Sequence, residues 1–502
     1  MRIKSISFDD TDYQLFNSNI PKDENIYTIL VGRNGSGKSR ILQKICLLHL
    51  HSICYKLEEN LSYFIDSNAF DRDNFYNHNN INCGKISYEF NNKIFEIKIS
   101  PEYNEYNHTR YNYRVEKKTD FSEFIEINKI IAISTSPFDK FPIIEHLHLS
   151  NNNKDLGIKY IYRGARIKSY IQKSYLKNKF DQLGASFINF FLKTEENKSK
   201  ISLLFNLFDL DENIEMYLTF PNTFFHTSYF NNPERDLKST LRQIKSTKEF
   251  SPTPQLSKDD EEIIENQLKT IINYFNLKEY ESKFKVNLNL SDTKYNNLNI
   301  IKVISNLVKY DLIELKDIKF KKNNKNFYLT EASSGELSFI FNILAIAGEI
   351  ENGTVILIDE PEVSLHPEWQ NKFLPLIKEI FNDYKECHFI IATHSPQILS
   401  SIDDNTIIIN IEEHGKIIEG REISKMSSDY QLAYVFKEPG FKNEYLVRIA
   451  LTTFTNVNKN KSFNNQDILN LKLLIENYEH LKEQDPLNQL ILSLQEMRKL
   501  YA

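Results

Sequence analysis

Short apolar runs punctuate this chain, and each ends in polar residues. Ile29-Leu30-Val31 runs into Gly32, Ile130-Ile131-Ala132-Ile133 into Ser134-Thr135-Ser136, Val355-Ile356-Leu357-Ile358 into Asp359-Glu360, and Phe389-Ile390-Ile391-Ala392 into Thr393-His394. Unbroken runs of this length fit strands covered on both faces, and open α/β sheets place ligands at the carboxyl ends of such strands. Between the runs the period changes. Ile41, Leu42, Ile45, Leu48 and Ile53 recur at helical spacing, which predicts a helix with one buried face. A second helix is predicted after Pro367, with Trp369, Phe373, Ile377 and Phe381 on one stripe and a kink at Pro375. Lys85 to Phe90 and Lys93 to Ile99 alternate with period two around Asn91-Asn92 and read as a hairpin, and Thr406 to Ile418 has a similar pattern.

These patterns divide the chain into four. Residues 1–140 read as strands around one helix. Residues 141–309 carry aromatic and leucine-containing segments such as Ile188-Asn189-Phe190-Phe191-Leu192 and Ile271-Ile272-Asn273-Tyr274-Phe275, which predict a helical insertion. Strand pattern resumes in 310–425, and 426–502 reads as a polar helical extension. The stretch from Asn231 to Asp260, with Pro233, Pro252 and Pro254, is the predicted mobile loop of the insertion. No apolar heptad persists across the insertion, which argues against a long coiled-coil arm.

Composition narrows the class. Lys and Arg total 62 against 68 Asp and Glu, a formal charge of -6 that does not mark a nucleic-acid binder. The cysteines Cys46, Cys54, Cys83 and Cys387 are scattered without a close pair, which suits a reducing cytoplasm better than a disulfide framework. Met1 to Phe8 alternates like a strand, and no apolar run approaches the roughly 20 residues of a membrane span, so no membrane partner is expected.

Candidate chemistry sits at the strand ends. Gly32-Arg33-Asn34-Gly35-Ser36-Gly37-Lys38-Ser39 fits the phosphate-binding loop G-x-x-x-x-G-K-[ST], between a strand pattern and a helix pattern as that loop requires. Backbone N–H groups from Asn34 to Ser39 can turn on phosphates, Lys38 reaches the terminal ones, and the Ser39 hydroxyl faces Mg²⁺. Asp359-Glu360 fits a metal-supporting carboxylate followed by a general base, although an apolar run ending in Asp-Glu also suits an ordinary surface pair. Ser333-Ser334-Gly335-Glu336 opens an apolar helix upstream, and His394 ends the next strand.

Taken in order, these four elements resemble the ABC-type ATPase heads of transporters, chromosome-maintenance proteins and DNA-repair factors. The resemblance implies an α/β head, a mixed sheet with helices, interrupted by the helical insertion. It also implies ATP and Mg²⁺ as ligands, with Ser39 and Asp359 on the metal, Glu360 as general base and His394 as the switch histidine. Ser333, Ser334, Gly335 and Glu336 would cap ATP bound by a second copy, giving a homodimer or higher oligomer. Two positions depart from the pattern. The usual Gln after the strand that precedes the insertion is replaced by Ser134-Thr135-Ser136-Pro137-Phe138-Asp139, with Ser136 or Asp139 as its candidate substitute, and the D-loop position carries His366. The string Asp359-Glu360-Pro361-Glu362-Val363-Ser364-Leu365-His366-Pro367 is similar to that of anti-phage ATPases: the PtuA-like subunits of Septu and retron systems and the heads of the overcoming-lysogenisation-defect nucleases. That narrower likeness implies a regulated HNH-type nuclease effector, and it admits a retron reverse transcriptase and its DNA as partners. A repair-type ATPase acting on DNA directly is the alternative; a transporter subunit is disfavoured by the large insertion.

Other residues carry less. Cys46, His49, His51 and Cys54 fit core packing better than metal, since 49 and 51 cannot share a helix face. Glu145-His146-Leu147-His148 reads as a strand edge. Arg163 and Arg166 fit either a phosphate or nucleic-acid contact or a solvated turn.

Overall fold

The apolar runs are strands. The computed structural model describes residues 2–8, 11–16, 21, 23–56, 84–90, 93–102, 112–118, 129–136, 139–143, 160–164, 166, 175–193, 200–220, 258–277, 282–290, 296–309, 312–323 and 325–501. The predicted mobile loop before residue 258, the Asn91-Asn92 turn, Pro137-Phe138, Cys83, Glu145 to His148 and the side chains of His51, Ile53 and Cys54 lie outside the described residues. The first elements are β1 (Arg2–Phe8), β2 (Thr11–Gln14), β3 (Ile26–Val31), α1 (Lys38–Lys56), β4 (Gly84–Phe90), β5 (Lys93–Glu102), β6 (Asn112–Lys118), β7 (Ile130–Ser134) and β8 (Tyr160–Arg163). There follow α2 (Tyr175–Phe191), α3 (Ile201–Leu207), β9 (Asn213–Thr219), α4 (Lys258–Tyr274), β10 (Lys283–Asn289), α5 (Leu298–Lys309), β11 (Glu314–Lys322), β12 (Lys325–Tyr328), α6 (Ser334–Ala347) and β13 (Val355–Asp359). The last are α7 (Pro367–Ile380), β14 (His388–Ala392), α8 (Pro396–Ser400), β15 (Ile407–Asn410), β16 (Lys416–Glu419), α9 (Gly420–Ile423), α10 (Ser428–Tyr434), α11 (Glu444–Asn460), α12 (Asn465–Tyr478) and α13 (Leu487–Leu500).

The chain folds as two compact units, the first comprising Met1–Ile26, Ser39–Leu365 and Leu376–Ile391, and the second Tyr27–Lys38, His366–Pro375 and Ala392–Ala502. In the first unit β14-β13-β7-β8 lie side by side, with β7 parallel to both β13 and β8. The register Val355↔Ile130 through Asp359↔Ser134 brings the polar ends of β13 and β7 level. Every residue of β7, β13 and β14 is buried, as a strand covered on both faces requires. A separate antiparallel sheet runs β2-β1-β4-β5-β6 and contains the predicted hairpin as β4 and β5.

Two expectations change. From Ile41 to Leu50 every residue of α1 except Gln43 is buried, so the helix has no solvent face there; Cys46, Leu47 and Leu50 fill the sides left by the apolar stripe. The insertion is not wholly helical either. Alongside α2 to α5 it supplies β8, β9 and β10, and the last two build the antiparallel sheet β10-β9-β11-β12. Ile214, Met216 and Leu218 are buried on one face of β9, a period-two pattern lying between helical segments.

His388 is fully buried in β14, accepts the Ile3 N–H at Nδ1 (3.3 Å) and meets the Phe16 ring edge-on. Burial, aided by the positive charge of Arg2, pushes its pKa down from 6.5 to about 3. Above about pH 6.5 both folded and unfolded chains hold this ring neutral; as pH falls toward about 3, only the unfolded chain takes up the proton. Stability from this group is therefore present above that window and lost through it, by about 2 kcal/mol between about pH 7 and about pH 5. Urea-unfolding curves at the two pH values should show this loss, and His388→Asn, which keeps an acceptor for Ile3, should reduce the pH slope.

In the second unit the order is β16-β15-β3, with β15 parallel to β3 and antiparallel to β16. Helices α11 to α13 share an apolar core of Leu446, Ile449, Leu471, Leu474, Ile491 and Leu494. Among the described residues no helix is long and apolar enough to cross a membrane.

Candidate functional site

The phosphate loop connects β3 to α1. Gly32 has φ +151°, and a Cβ there would lie 2.6 Å from Ser36 Oγ; Gly37 has φ +103°. Only glycine meets both demands at low cost. Asn34 and Gly35 are exposed at the tip, and the Ser36 N–H donates to the Arg33 carbonyl (3.1 Å). Lys38 is 4% exposed, and its ammonium donates to the carbonyls of Gly32 (2.7 Å) and Arg33 (3.0 Å).

His394 shares this unit. The Thr393 N–H donates to the Leu30 carbonyl (3.1 Å), which sets the start of the Thr393-His394 segment beside the end of β3. Lys38 Nζ lies 3.3 Å from His394 Nδ1. An ammonium can only donate, so Nδ1 accepts and a neutral ring carries its proton on Nε2. Burial first, then the Lys38 charge, push the His394 pKa from 6.5 down to about 4, against the opposing pull of Glu412. The ring is neutral at physiological pH and presents an N–H donor.

In the first unit Ser39 Oγ donates to Asp359 Oδ1 at 2.9 Å across 320 residues of sequence. Burial raises the Asp359 pKa from 3.8 to about 7; Glu360, Asp139 and Glu362 add to the rise and the Ser39 hydrogen bond opposes it. A hydroxyl and a carboxylate set among further carboxylates form a hard-oxygen donor pair that a divalent cation would relieve, so these residues fit Mg²⁺. Glu360 follows with φ +49°, left-handed backbone for a residue that is not glycine and that precedes Pro361. That conformation turns the chain away from the β13 direction at the residue expected to act as base.

Ser333 and Ser334 are exposed at the start of α6, and from Leu337 to Ala347 the helix is buried. Ser333 is the N-cap. Its hydroxyl accepts from the Glu336 N–H (3.2 Å), and the Glu336 carboxylate accepts from the Ser333 N–H (3.0 Å). This is a capping box, legible in Ser-x-x-Glu. Although burial acts to raise it, the Glu336 pKa is held below the usual carboxylate range by the Ser333 N–H and by Lys322 at 3.1 Å. His366 similarly precedes α7, with its carbonyl accepting the Trp369 N–H (2.9 Å).

Asp139 has protein partners. It accepts from Tyr162 Oη (2.7 Å) and the Phe141 N–H (3.1 Å), with Arg166 Nε at 3.6 Å. Ser134 instead stands level with Asp359, its hydroxyl accepting the Ser136 N–H (3.1 Å). The two arginines have protein partners: Arg166 Nη1 donates to the Asp139 carbonyl (3.0 Å), and Arg163 pairs with Glu349. Sequence reasoning also missed the contact of Glu412 with Arg33, which no local spacing signals.

A glycine-rich loop opening a helix, its serine bonded to an aspartate at the end of a buried parallel strand, defines a P-loop ATPase fold. Residues 27–400 match the family described as "AAA domain, putative AbiEii toxin, Type IV TA system", and the chain belongs to this family of defence-associated ATPases. It is 26% identical over 397 residues to "Retron Ec83 probable ATPase" of Escherichia coli, an alignment spanning 76% of this chain and 66% of that protein. With "Retron Vc95 probable ATPase" of Vibrio cholerae the identity is 23% over 425 residues, 82% of this chain and 74% of that one. "Septu protein PtuA" of Bacillus thuringiensis is 33% identical over 115 residues, 20% of this chain and 28% of that one.

Proposed function

We propose that this chain is an ABC-type ATPase that binds ATP with Mg²⁺, dimerises around it, and thereby regulates a partner nuclease effector in anti-phage defence. The observation that carries the reading is the Ser39–Asp359 hydrogen bond, which pairs the last residue of the phosphate-loop motif with the carboxylate that ends β13. Ser39 and Asp359 would hold Mg²⁺, which when bound supplies neutralising charge at the phosphates. Asn34 to Lys38 offer backbone N–H groups, and Lys38 offers an ammonium already turned toward the loop centre. His394 Nε2–H donates to the terminal phosphate, while Glu360 accepts the proton of the attacking water. Ser333 to Glu336 act on the ATP of a second copy: the side chains of Ser333 and Glu336 are used in the capping box, so the groups left for that phosphate are the exposed Ser334 hydroxyl and the N–H groups of Ser334 and Gly335 at the helix start. The names of the relatives support the retron and Septu defence setting, while the nuclease partner rests on the resemblance of the Asp359 to Pro367 string.

The test is the mass of the Glu360→Gln chain by light scattering with and without Mg-ATP. ATP-dependent doubling is expected, reversed by Ser333→Arg, which obstructs the capping helix end. An unchanged mass with bound ATP would sink the dimer reading.

A further inference from the structure

The phosphate loop is held from outside its motif. Arg33 occupies a variable position of the loop, yet two of its donors converge on one carboxylate: the backbone N–H on Glu412 Oε1 (2.9 Å) and Nε on Glu412 Oε2 (3.1 Å). Glu438 stands 3.7 Å from the same Nε. Glu412 is itself braced. Its N–H donates to Asn410 Oδ1 (3.0 Å); Asn410 is 2% exposed and its Nδ2 donates to the Val435 carbonyl (3.1 Å). The Ile411 N–H donates to the Val31 carbonyl (3.0 Å), immediately before Gly32, and the Gly415 N–H closes the turn on the Asn410 carbonyl (3.0 Å). The turn after β15 is thus bonded to β3 on one side and to the end of α10 on the other.

We propose that Glu412 is a positioning residue for nucleotide binding, which fixes the phosphate loop through Arg33. The proposal rests on the ATP reading above. Its physical content is twofold. A two-point grip on residue 33 removes freedom from a glycine-rich loop that otherwise has to be ordered when phosphates bind, so the ordering cost is met by the fold. The grip also brings a carboxylate toward an anion site, which is tolerable only while the Arg33 guanidinium neutralises it. The Glu412 carboxylate also acts on His394, favouring that ring's charged form against burial and the Lys38 charge.

The two effects give separable expectations. Glu412→Ala frees the loop, and loss of a charge-assisted two-point contact should weaken binding about tenfold or more. Glu412→Gln retains one acceptor and should stay within about threefold of wild type. Arg33→Ala leaves the turn's backbone bonds intact but strips the carboxylate of its cation, and should weaken binding about tenfold; adding Glu412→Gln to it should recover part of that loss. The measurement is the dissociation constant of a fluorescent MANT-ATP probe with Mg²⁺ on the full chain, accompanied by the thermal midpoint without nucleotide. An alanine variant binding within about twofold of wild type overturns the proposal, as does equal loss in the Gln and Ala variants, which marks mere damage to the turn. If the Glu412→Ala chain does not fold, the Arg33→Ala and double-variant pair decides: strictly additive losses overturn the proposal. A wild-type chain that fails to bind the probe overturns the ATP reading instead, and with it this one, and is recognised because it fails before any substitution.

Discussion

Lys38→Ala is expected to abolish measurable ATP binding, with affinity falling about a hundredfold or more. The ammonium is nearly enclosed, held by the Gly32 and Arg33 carbonyls at 2.7 and 3.0 Å. Removing it takes away the charge that meets the phosphates and leaves those carbonyls without this donor, and a buried acceptor left unsatisfied costs about 1–3 kcal/mol. Calorimetric titration with Mg-ATP checks the affinity. A second readout is independent of nucleotide. Because Lys38 is one of the causes that depress the His394 pKa from 6.5 to about 4, its loss should move that pKa upward, while the remaining burial keeps it below the ordinary value. The histidine Cε1–H resonance followed against pH reports this shift, and an unchanged titration would mean that the two side chains do not share a site in solution.

At Glu360, chemistry and backbone conformation can be separated. Glu360→Gln should slow hydrolysis by about 10²–10⁴-fold, the range for loss of a general base, while leaving nucleotide affinity little changed. Glu360→Gly should slow hydrolysis equally but stabilise the fold. A residue with a Cβ pays about 1–2 kcal/mol for left-handed backbone, and φ is +49° here; glycine recovers that cost less its own greater entropy in the unfolded chain. The net gain is about 1 kcal/mol at most, and Glu360→Val should instead lose more than about 1 kcal/mol, since a β-branched side chain fits this region worst. Phosphate-release assays and denaturant midpoints on the three variants check the ranking. If Glu360→Gly is no more stable than Glu360→Gln, the left-handed turn is not strained in solution. Such a strained residue at a strand end is what a site that trades stability for geometry would carry.

Much of this site was legible in local spacing. The phosphate loop is a contiguous motif whose glycines answer to backbone angles within eight residues, so Gly32 to Ser39 announce their conformation without help. The buried strands are legible for a similar reason: Ile130 to Ile133, Val355 to Ile358 and Phe389 to Ala392 lack any polar position that could face water, and only a strand covered on both faces suits them. Even the cap of α6 is written in Ser333 and Glu336, three residues apart.

What local pattern left open concerns partners distant in sequence. The alternation of Ile214, Met216 and Leu218 is short and lies between helical segments, and its assignment to a strand comes from pairing with β10 and β11, some of it about a hundred residues away. The partners of Asp139 were equally hidden; the turn that carries it faces Tyr162 and Arg166, which come later in the chain. Glu412 had no motif at all, because its role depends on a turn 379 residues from Arg33. The sequence by itself determined the residues able to handle a phosphate and the strands that carry them, since those depend on neighbours within a few positions. Tertiary structure alone decided which charges face one another, because a carboxylate's partner is set by packing and burial and leaves no periodic trace in the chain.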